Sequence, residues 1–266
     1  MRRLRIPYLL LVLLLSLLPM GLLWWSVRGA PAEVDTLAVA LRDWRDEAGG
    51  SMLAAQLSRT AALSLGLSAL AMLLGVPAGF ACATERFPGR RFVLLLCLVG
   101  LAVPAPLWLA FHLFARTLVE STDPVAAVVL VSFGTSLPAV VLLSAASMAS
   151  LPDDQLAVGR LEGQLLPGLL LNVGLPARRA DLVAVFCVLA GLSWGATLTQ
   201  TVLLTSPGEM SLLAGQALLS RLGLQGAPLA AFAVVAALPG VVLQMLGLRR
   251  TAGLAMRALV RLRSEV

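Results

Sequence analysis

The chain has 266 residues, of which 59% are hydrophobic and only 13% are charged. A soluble domain averages about 25% charged residues and about 45–50% apolar residues. One core of this size could not hide so much apolar surface, which excludes an ordinary soluble domain and predicts contact with lipid. The net charge of +6 arises from arginine without any lysine, and the arginines lie in short clusters beside apolar runs. That arrangement is typical of membrane proteins, so we expect no nucleic-acid partner.

Six segments are long and apolar enough to span a bilayer, which takes about 20 mostly apolar residues in a helix. They cover residues 7–27, 61–83, 92–114, 125–148, 182–204 and 227–248. The first could instead be a signal peptide, but its apolar run exceeds the usual length of about 7–15 residues, which favours a retained anchor. The sequence therefore predicts an all-α, polytopic membrane protein with six transmembrane helices.

The arginines also predict the orientation of these helices. With the N-terminus in the cytoplasm, 14 arginines fall in cytoplasmic segments and six in external ones. Arginine is enriched in cytoplasmic loops, so both termini are expected in the cytoplasm, as in a multi-pass protein of a bacterial inner membrane.

Three regions follow from this layout. Residues 1–55 form an N-terminal anchor and an external loop, in which Leu37, Leu41 and Trp44 at helical spacing predict an amphipathic helix. Residues 56–250 form a core of five spans, and residues 251–266 form a basic cytoplasmic tail.

The cytoplasmic loop at 149–181 carries the most information about function. Asp153 or Asp154 directly after Pro152 predicts a helix start, and Gly163 predicts its end. A second short helix is predicted after Pro167 and a stop at Pro176. Such a hairpin, with mixed apolar and charged faces, is suited to docking against another protein, although a loop packed on itself is the alternative.

At this loop the sequence resembles the permease subunits of type I ABC importers. Their hallmark reads Glu-Ala-Ala, three residues, Gly, nine residues, Ile, one residue, Leu-Pro. Here Ala157-Val158-Gly159 precedes Gly163 by the same spacing, and Val173-Gly174-Leu175-Pro176 follows nine residues later. Further similarities lie at Ser150-Leu151-Pro152, Gly75-Val76-Pro77-Ala78-Gly79, Arg86-Phe87-Pro88-Gly89-Arg90-Arg91, Val103-Pro104-Ala105-Pro106 and Leu203-Leu204-Thr205-Ser206-Pro207-Gly208.

The resemblance implies the MetI-like permease fold, a separate ABC ATPase subunit, a second permease subunit and an extracytoplasmic substrate-binding protein. It also implies that the loop contacts the ATPase. The residues assigned to that coupling role are Ala157, Gly159, Arg160, Glu162, Gly163, Val173, Leu175 and Pro176. The sequence departs from the pattern at Ala157, where the family has its glutamate, and at Gly159, where it has its second alanine.

Polar residues within the spans are candidates for the translocation path, because polar groups facing lipid are costly. The candidates are Ser132, Ser136, Ser193, Trp194, Thr197 and Gln200. The alternative for each hydroxyl is a bond to its own backbone or to a neighbouring helix. Hydroxyls in an apolar lining favour a sugar-like solute, while the resemblance also includes permeases for ferric iron and polyamines.

No catalytic or metal site is predicted. The three cysteines lie inside apolar runs, and no span carries a cluster of ionisable residues. The chain lacks the GxxxxGK[ST] motif, so ATP is expected on a partner subunit and no cofactor on this one. The alternatives to a solute permease are a non-transporting structural or regulatory subunit of such a complex and an unrelated integral membrane enzyme.

Overall fold

A computed structural model describes residues 49–85, 87–103, 124–195 and 227–265, together with positions 107 and 110. These parts of the chain are helical and contain no strand, which confirms the all-α expectation. The helices are α1 (Gly49–Thr84), α2 (Arg90–Ala102), α3 (Pro124–Met148), α4 (Asp153–Leu161), α5 (Leu166–Leu169), α6 (Leu175–Trp194) and α7 (Ala227–Glu265). A π-helical turn, Leu170–Gly174, joins α5 to α6.

The number of membrane spans remains a prediction. Within the described ranges, the Leu57–Thr84 part of α1 is the one helix that is long and apolar enough to cross a bilayer by itself. The Ser132–Met148 part of α3 meets the same test only together with α4, from which it is bent by 91°. The predicted first span and the amphipathic helix of the external loop lie outside the described residues.

Helix boundaries agree with the predicted spans in some places and differ in others. Helix α3 matches the span predicted at 125–148, and α1 contains the one predicted at 61–83. Helix α2 ends at Ala102, well before the predicted end at 114, because Val103 is extended with φ −70° and ψ 120°. A residue that precedes proline disfavours the helical conformation, and Pro104 is next in the sequence.

Proline also explains a wrong prediction at the end of the cytoplasmic loop. Pro176 does not stop a helix; it lies in the first turn of α6, which begins at Leu175. Leu169, Gly174 and Leu175 all have helical dihedrals, so the helical path continues from α5 through the π turn into α6. The π turn alters the usual hydrogen-bond pattern directly before Pro176, which is where the N–H that proline lacks would have donated.

Glycines at the helix crossings let the long helices pack closely against one another. On α1, a Cβ added at Gly75 would lie 2.6 Å from Val140 Cγ1 of α3. On α6, a Cβ at Gly191 would lie 2.5 Å from Gly240 O of α7. Small residues at such positions let two helices pack closely, which is the usual means of association where lipid surrounds them.

A cluster of buried apolar side chains unites α1, α3, α6 and α7 with the hairpin helices. Its members include Phe80, Met148, Leu182, Val185 and Leu254. Leu254 lies in the segment predicted as a basic tail, yet it is 0% exposed. The segment continues α7 as one helix to Glu265 and contributes to the core.

Candidate partner-docking hairpin

The hairpin, defined as residues 153–176, comprises α4, α5, the turn between them and the π turn up to the start of α6, and it begins where the sequence predicts. Pro152 is the N-cap residue of α4, and Asp153 and Asp154 occupy its first turn. Negative side chains there interact favourably with the unpaired N–H groups and the positive end of the helix dipole. Arg160 lies in the last turn, where a cation is favoured for the opposite reason.

Gly163 ends α4 in a specific backbone motif. Its φ is +75°, a left-handed conformation that glycine adopts without a steric penalty. The N–H of Gly163 donates to Arg160 O at 3.0 Å, and the N–H of Gln164 donates to Gly159 O at 3.0 Å. These two bonds define a Schellman motif, which satisfies carbonyl groups at the helix end.

The two helices of the hairpin pack closely at Gly159. A Cβ there would lie 2.5 Å from Cδ2 of Leu169, which is itself buried. An alanine at position 159 would require the side chain of Leu169 to shift. A hydrogen-bonded chain from Asn172 Nδ2 to Gln164 Oε1 at 3.3 Å, and from Gln164 Nε2 to Glu162 Oε2 at 3.0 Å, further joins the hairpin.

One side of the hairpin is buried against the helix bundle. Leu156, Leu169 and Leu170 belong to the same apolar cluster as Phe80 and Met148. Val173 and Leu175, two of the predicted coupling residues, are half-buried and pack against this cluster. These residues anchor the hairpin to the bundle.

The opposite side exposes apolar residues. Leu161 is 88% exposed and Leu165 is 80% exposed, and Val158 is also exposed. Of the predicted coupling residues, Ala157, Glu162, Gly163 and Pro176 are exposed as well. We refer to Val158, Leu161 and Leu165 as the outer apolar surface of the hairpin.

Arg160 turns away from this surface toward the end of α1. Its Nη2 forms an ion pair with Glu85 Oε1 at 2.9 Å and donates to Thr84 O at 3.2 Å. The resemblance to ABC importer permeases implied that Arg160 contacts a partner ATPase. The structure shows that its guanidinium already has partners within the chain.

The residues predicted to line the translocation path differ in how deeply they are buried. Ser132 and Ser193 are buried, and Ser136 is half-buried. Trp194 is buried between α6 and α7, and its indole Nε1 donates to Ala236 O at 2.9 Å. Thr197 and Gln200 lie outside the described residues.

Two groups of polar residues were missed by the sequence reasoning. Thr60, Ser64 and Ser68 are buried along one face of α1, and their spacing of four residues is the signal that could have found them. Asp181 of α6 accepts from Ser147 Oγ at 3.0 Å and lies 4.0 Å from Arg250 Nη1. No sequence signal pairs Asp181 with residues that lie on α3 and α7.

Metal-ligating side chains do not cluster in the parts of the chain that the structure describes: no three of His, Cys, Asp and Glu come together there. The hairpin is the described feature whose geometry best suits an interaction with a partner. It is anchored on one side, stiffened internally and apolar on its opposite side.

No family model and no curated protein matches this chain. Among the solved structures that do match is a chain described as "Inward facing conformations of the MetNI methionine ABC transporter". The TM-score is 0.61 at 16% sequence identity, and the match covers 76% of this chain and 96% of that chain. The chain thus has the fold of an ABC importer protein, as the resemblance implied in general terms.

Proposed function

We propose that this chain is the transmembrane permease subunit of an ATP-driven solute importer. In this role it forms part of the translocation path and couples that path to a separate ATPase. The shared fold with a chain of an ABC transporter supports this proposal over a membrane enzyme. A bacterial inner membrane with both termini in the cytoplasm is the location that the arginine distribution favours.

The outer apolar surface of the hairpin is the observation that carries the proposal. Leu161 and Leu165 expose most of their surface on a structure whose other side is fixed to the bundle. Exposed apolar residues that cluster on a polar projection are typical of interaction sites, and a partner that covers them would bury their apolar area. An ATPase subunit docked there would push on an element that is packed against α1, α3 and α6.

The coupling mechanism follows from this rigidity. The Schellman motif at Gly163 and the packing of Leu169 on Gly159 keep the hairpin stiff. ATP-driven approach of two ATPase subunits would therefore move each hairpin as a body and rock the long helices between two states. ATP binds to the partner subunit, and this chain needs no cofactor of its own.

The complex would contain a second permease subunit, identical or homologous, and a substrate-binding protein outside the membrane. A sugar-like solute is the substrate class that the hydroxyl-bearing spans favour, with ferric iron and polyamines as the alternatives. Methionine, after which the structurally similar transporter is named, belongs in the same test panel. Uptake into proteoliposomes with the cognate binding protein would identify the solute.

Binding to the ATPase tests the proposal directly. The full chain is co-expressed with each candidate ABC ATPase from the same genome, and the affinity of the purified pair is measured. We expect Leu161→Ser and Leu165→Ser each to weaken binding by about tenfold, because each removes apolar area that the partner would bury.

Met256→Ser is the matched control, because Met256 is an exposed apolar residue on α7 outside the hairpin. It should leave the affinity unchanged. A wild-type chain that associates with no ABC ATPase would contradict the proposed function. Equal affinities for the hairpin variants and the control would show that the partner docks elsewhere.

A further inference from the structure

Arg160 contacts residues that are distant from it in the sequence, and the hairpin pattern does not predict this contact. Its Nη2 reaches Glu85 Oε1 and Thr84 O, at the end of a helix 75 or more residues earlier in the chain. The hairpin is joined to α3 and α6 by the chain itself. It reaches α1 only through noncovalent contacts.

A cation is favoured at the end of α1, where Arg160 lies. Glu85 follows directly on Thr84, the last residue of α1, and its N–H donates to Ala81 O at 3.0 Å. The last carbonyl groups of a helix carry partial negative charge, so a carboxylate beside them is unfavourable unless a positive group compensates. The guanidinium of Arg160 does so, and it has enough N–H groups to donate to both acceptors.

The apolar contacts of the hairpin do not replace this ion pair. Leu156 and Leu169 anchor the hairpin in the core, but hydrophobic contacts are not directional. The hydrogen bond of 2.9 Å between Arg160 Nη2 and Glu85 Oε1 adds a directional contact between the hairpin and α1. It favours one position of the hairpin relative to α1.

We propose that Arg160 is a positioning residue, which through Glu85 passes movement of the hairpin to α1. This inference rests on the function proposed above. It assigns Arg160 to a contact within the chain, whereas the sequence pattern assigned it to the ATPase. The outer apolar surface remains the docking site, and the Arg160–Glu85 pair transmits the resulting displacement to the one described helix that is long and apolar enough to span a bilayer alone.

A charge-swap cycle tests the inference in the full complex. The chain, its ATPase and its binding protein are reconstituted in nanodiscs, and stimulation of ATP hydrolysis by the binding protein is measured. Arg160→Glu and Glu85→Arg should each lower the stimulation by about two- to fivefold, as suits a pair that is about half exposed. The double variant should regain most of it, because an arginine at 85 can pair with the glutamate at 160 and with the α1 carbonyl groups.

Arg179→Glu controls for the loss of a positive charge, since Arg179 is exposed on α6 and its side chain forms no hydrogen bond or ion pair with any described residue. It should leave the stimulation at the wild-type level. A double variant no better than the single ones would overturn the inference, because it would mean that Arg160 acts on the ATPase.

Hydrogen exchange in the isolated full chain distinguishes a failure of the proposed function from a failure of the positioning role of Arg160. Backbone amides of residues 153–164 should exchange about two- to fivefold faster in each single variant and at nearly the wild-type rate in the double variant. If this pattern holds but no ATPase binds the wild type, the proposed function fails while the contact stands. The positioning role itself is wrong if the binding protein stimulates ATP hydrolysis in the wild-type complex but the double variant recovers neither that stimulation nor the wild-type exchange rate.

Discussion

Single glycines set the distance between helices in this protein. A Cβ at Gly79 would lie 2.7 Å from Val141 O and 2.9 Å from Ala145 N, both backbone atoms of α3. Ser144 lies at the same crossing: its Oγ donates to Val140 O of its own helix at 2.6 Å and lies 3.2 Å from Gly75 O of α1. The Gly-Val-Pro-Ala-Gly segment, noted in the sequence as a family similarity, therefore has a packing role here.

Substitution of Gly79 tests this packing role. Gly79→Ala should destabilise the protein by about 1–3 kcal/mol, because backbone atoms of α3 cannot move aside as a flexible side chain would. The measurement is the thermal unfolding midpoint of the purified chain in detergent micelles.

Gly66→Ala is the control in the same helix, since nothing lies within 4 Å of a Cβ at Gly66. It should leave the midpoint unchanged or raise it slightly, because alanine favours a helix interior over glycine by about 1 kcal/mol. Equal midpoints for the two variants would refute close packing at Gly79.

The hairpin is the element whose internal geometry matters most for coupling. Gly163 combines a φ of +75° with an N–H that donates to Arg160 O. Proline can satisfy neither requirement, because its φ is held near −65° and it has no N–H. Asparagine tolerates the left-handed conformation and keeps the donor.

We expect Gly163→Pro to abolish stimulation of ATP hydrolysis by the binding protein and to increase hydrogen exchange across α4. Gly163→Asn should retain most of both properties. Hydrogen exchange measures local opening of the hairpin without any partner present, so it detects the structural effect of the substitution separately from coupling. Wild-type coupling in Gly163→Pro would mean that a stiff hairpin is not required.

At the scale of the whole molecule, orientation in the membrane decides whether the hairpin can meet an ATPase. The distribution of arginines favours a cytoplasmic position for residues 149–181, on the same side as both termini. The structure contributes a suitable reporter position, because Leu161 is 88% exposed at the end of α4.

Labelling of a single cysteine tests the orientation. In a variant without the three native cysteines, Leu161→Cys should react with a membrane-impermeant maleimide in inside-out vesicles and not in right-side-out vesicles. Thr36→Cys, in the predicted external loop, should show the opposite pattern. Labelling of position 161 from outside would remove the basis for an importer.

Local signals were sufficient for much of the fold and for part of the site. The start of α4 after Pro152 and its end before Gly163 were predicted correctly, because capping and left-handed glycine conformations depend on adjacent residues. Pro176 was misread as a stop, because a proline in a first turn has the same local sequence as one that ends a helix. Only the helical path before it distinguishes the two cases.

Run length, composition and neighbouring residues were enough to predict an all-helical chain and the break of the hairpin at Gly163, both of which the structure confirms for the residues it describes. The membrane orientation that the arginines favour stays a prediction. The packed helices alone reveal that Arg160 pairs with Glu85, that Trp194 donates to Ala236 O, and that Leu254 is part of the core. Each of these contacts joins helices that are far apart in the chain. Such partners are selected by the packing of helices against one another, and no local sequence pattern encodes that packing.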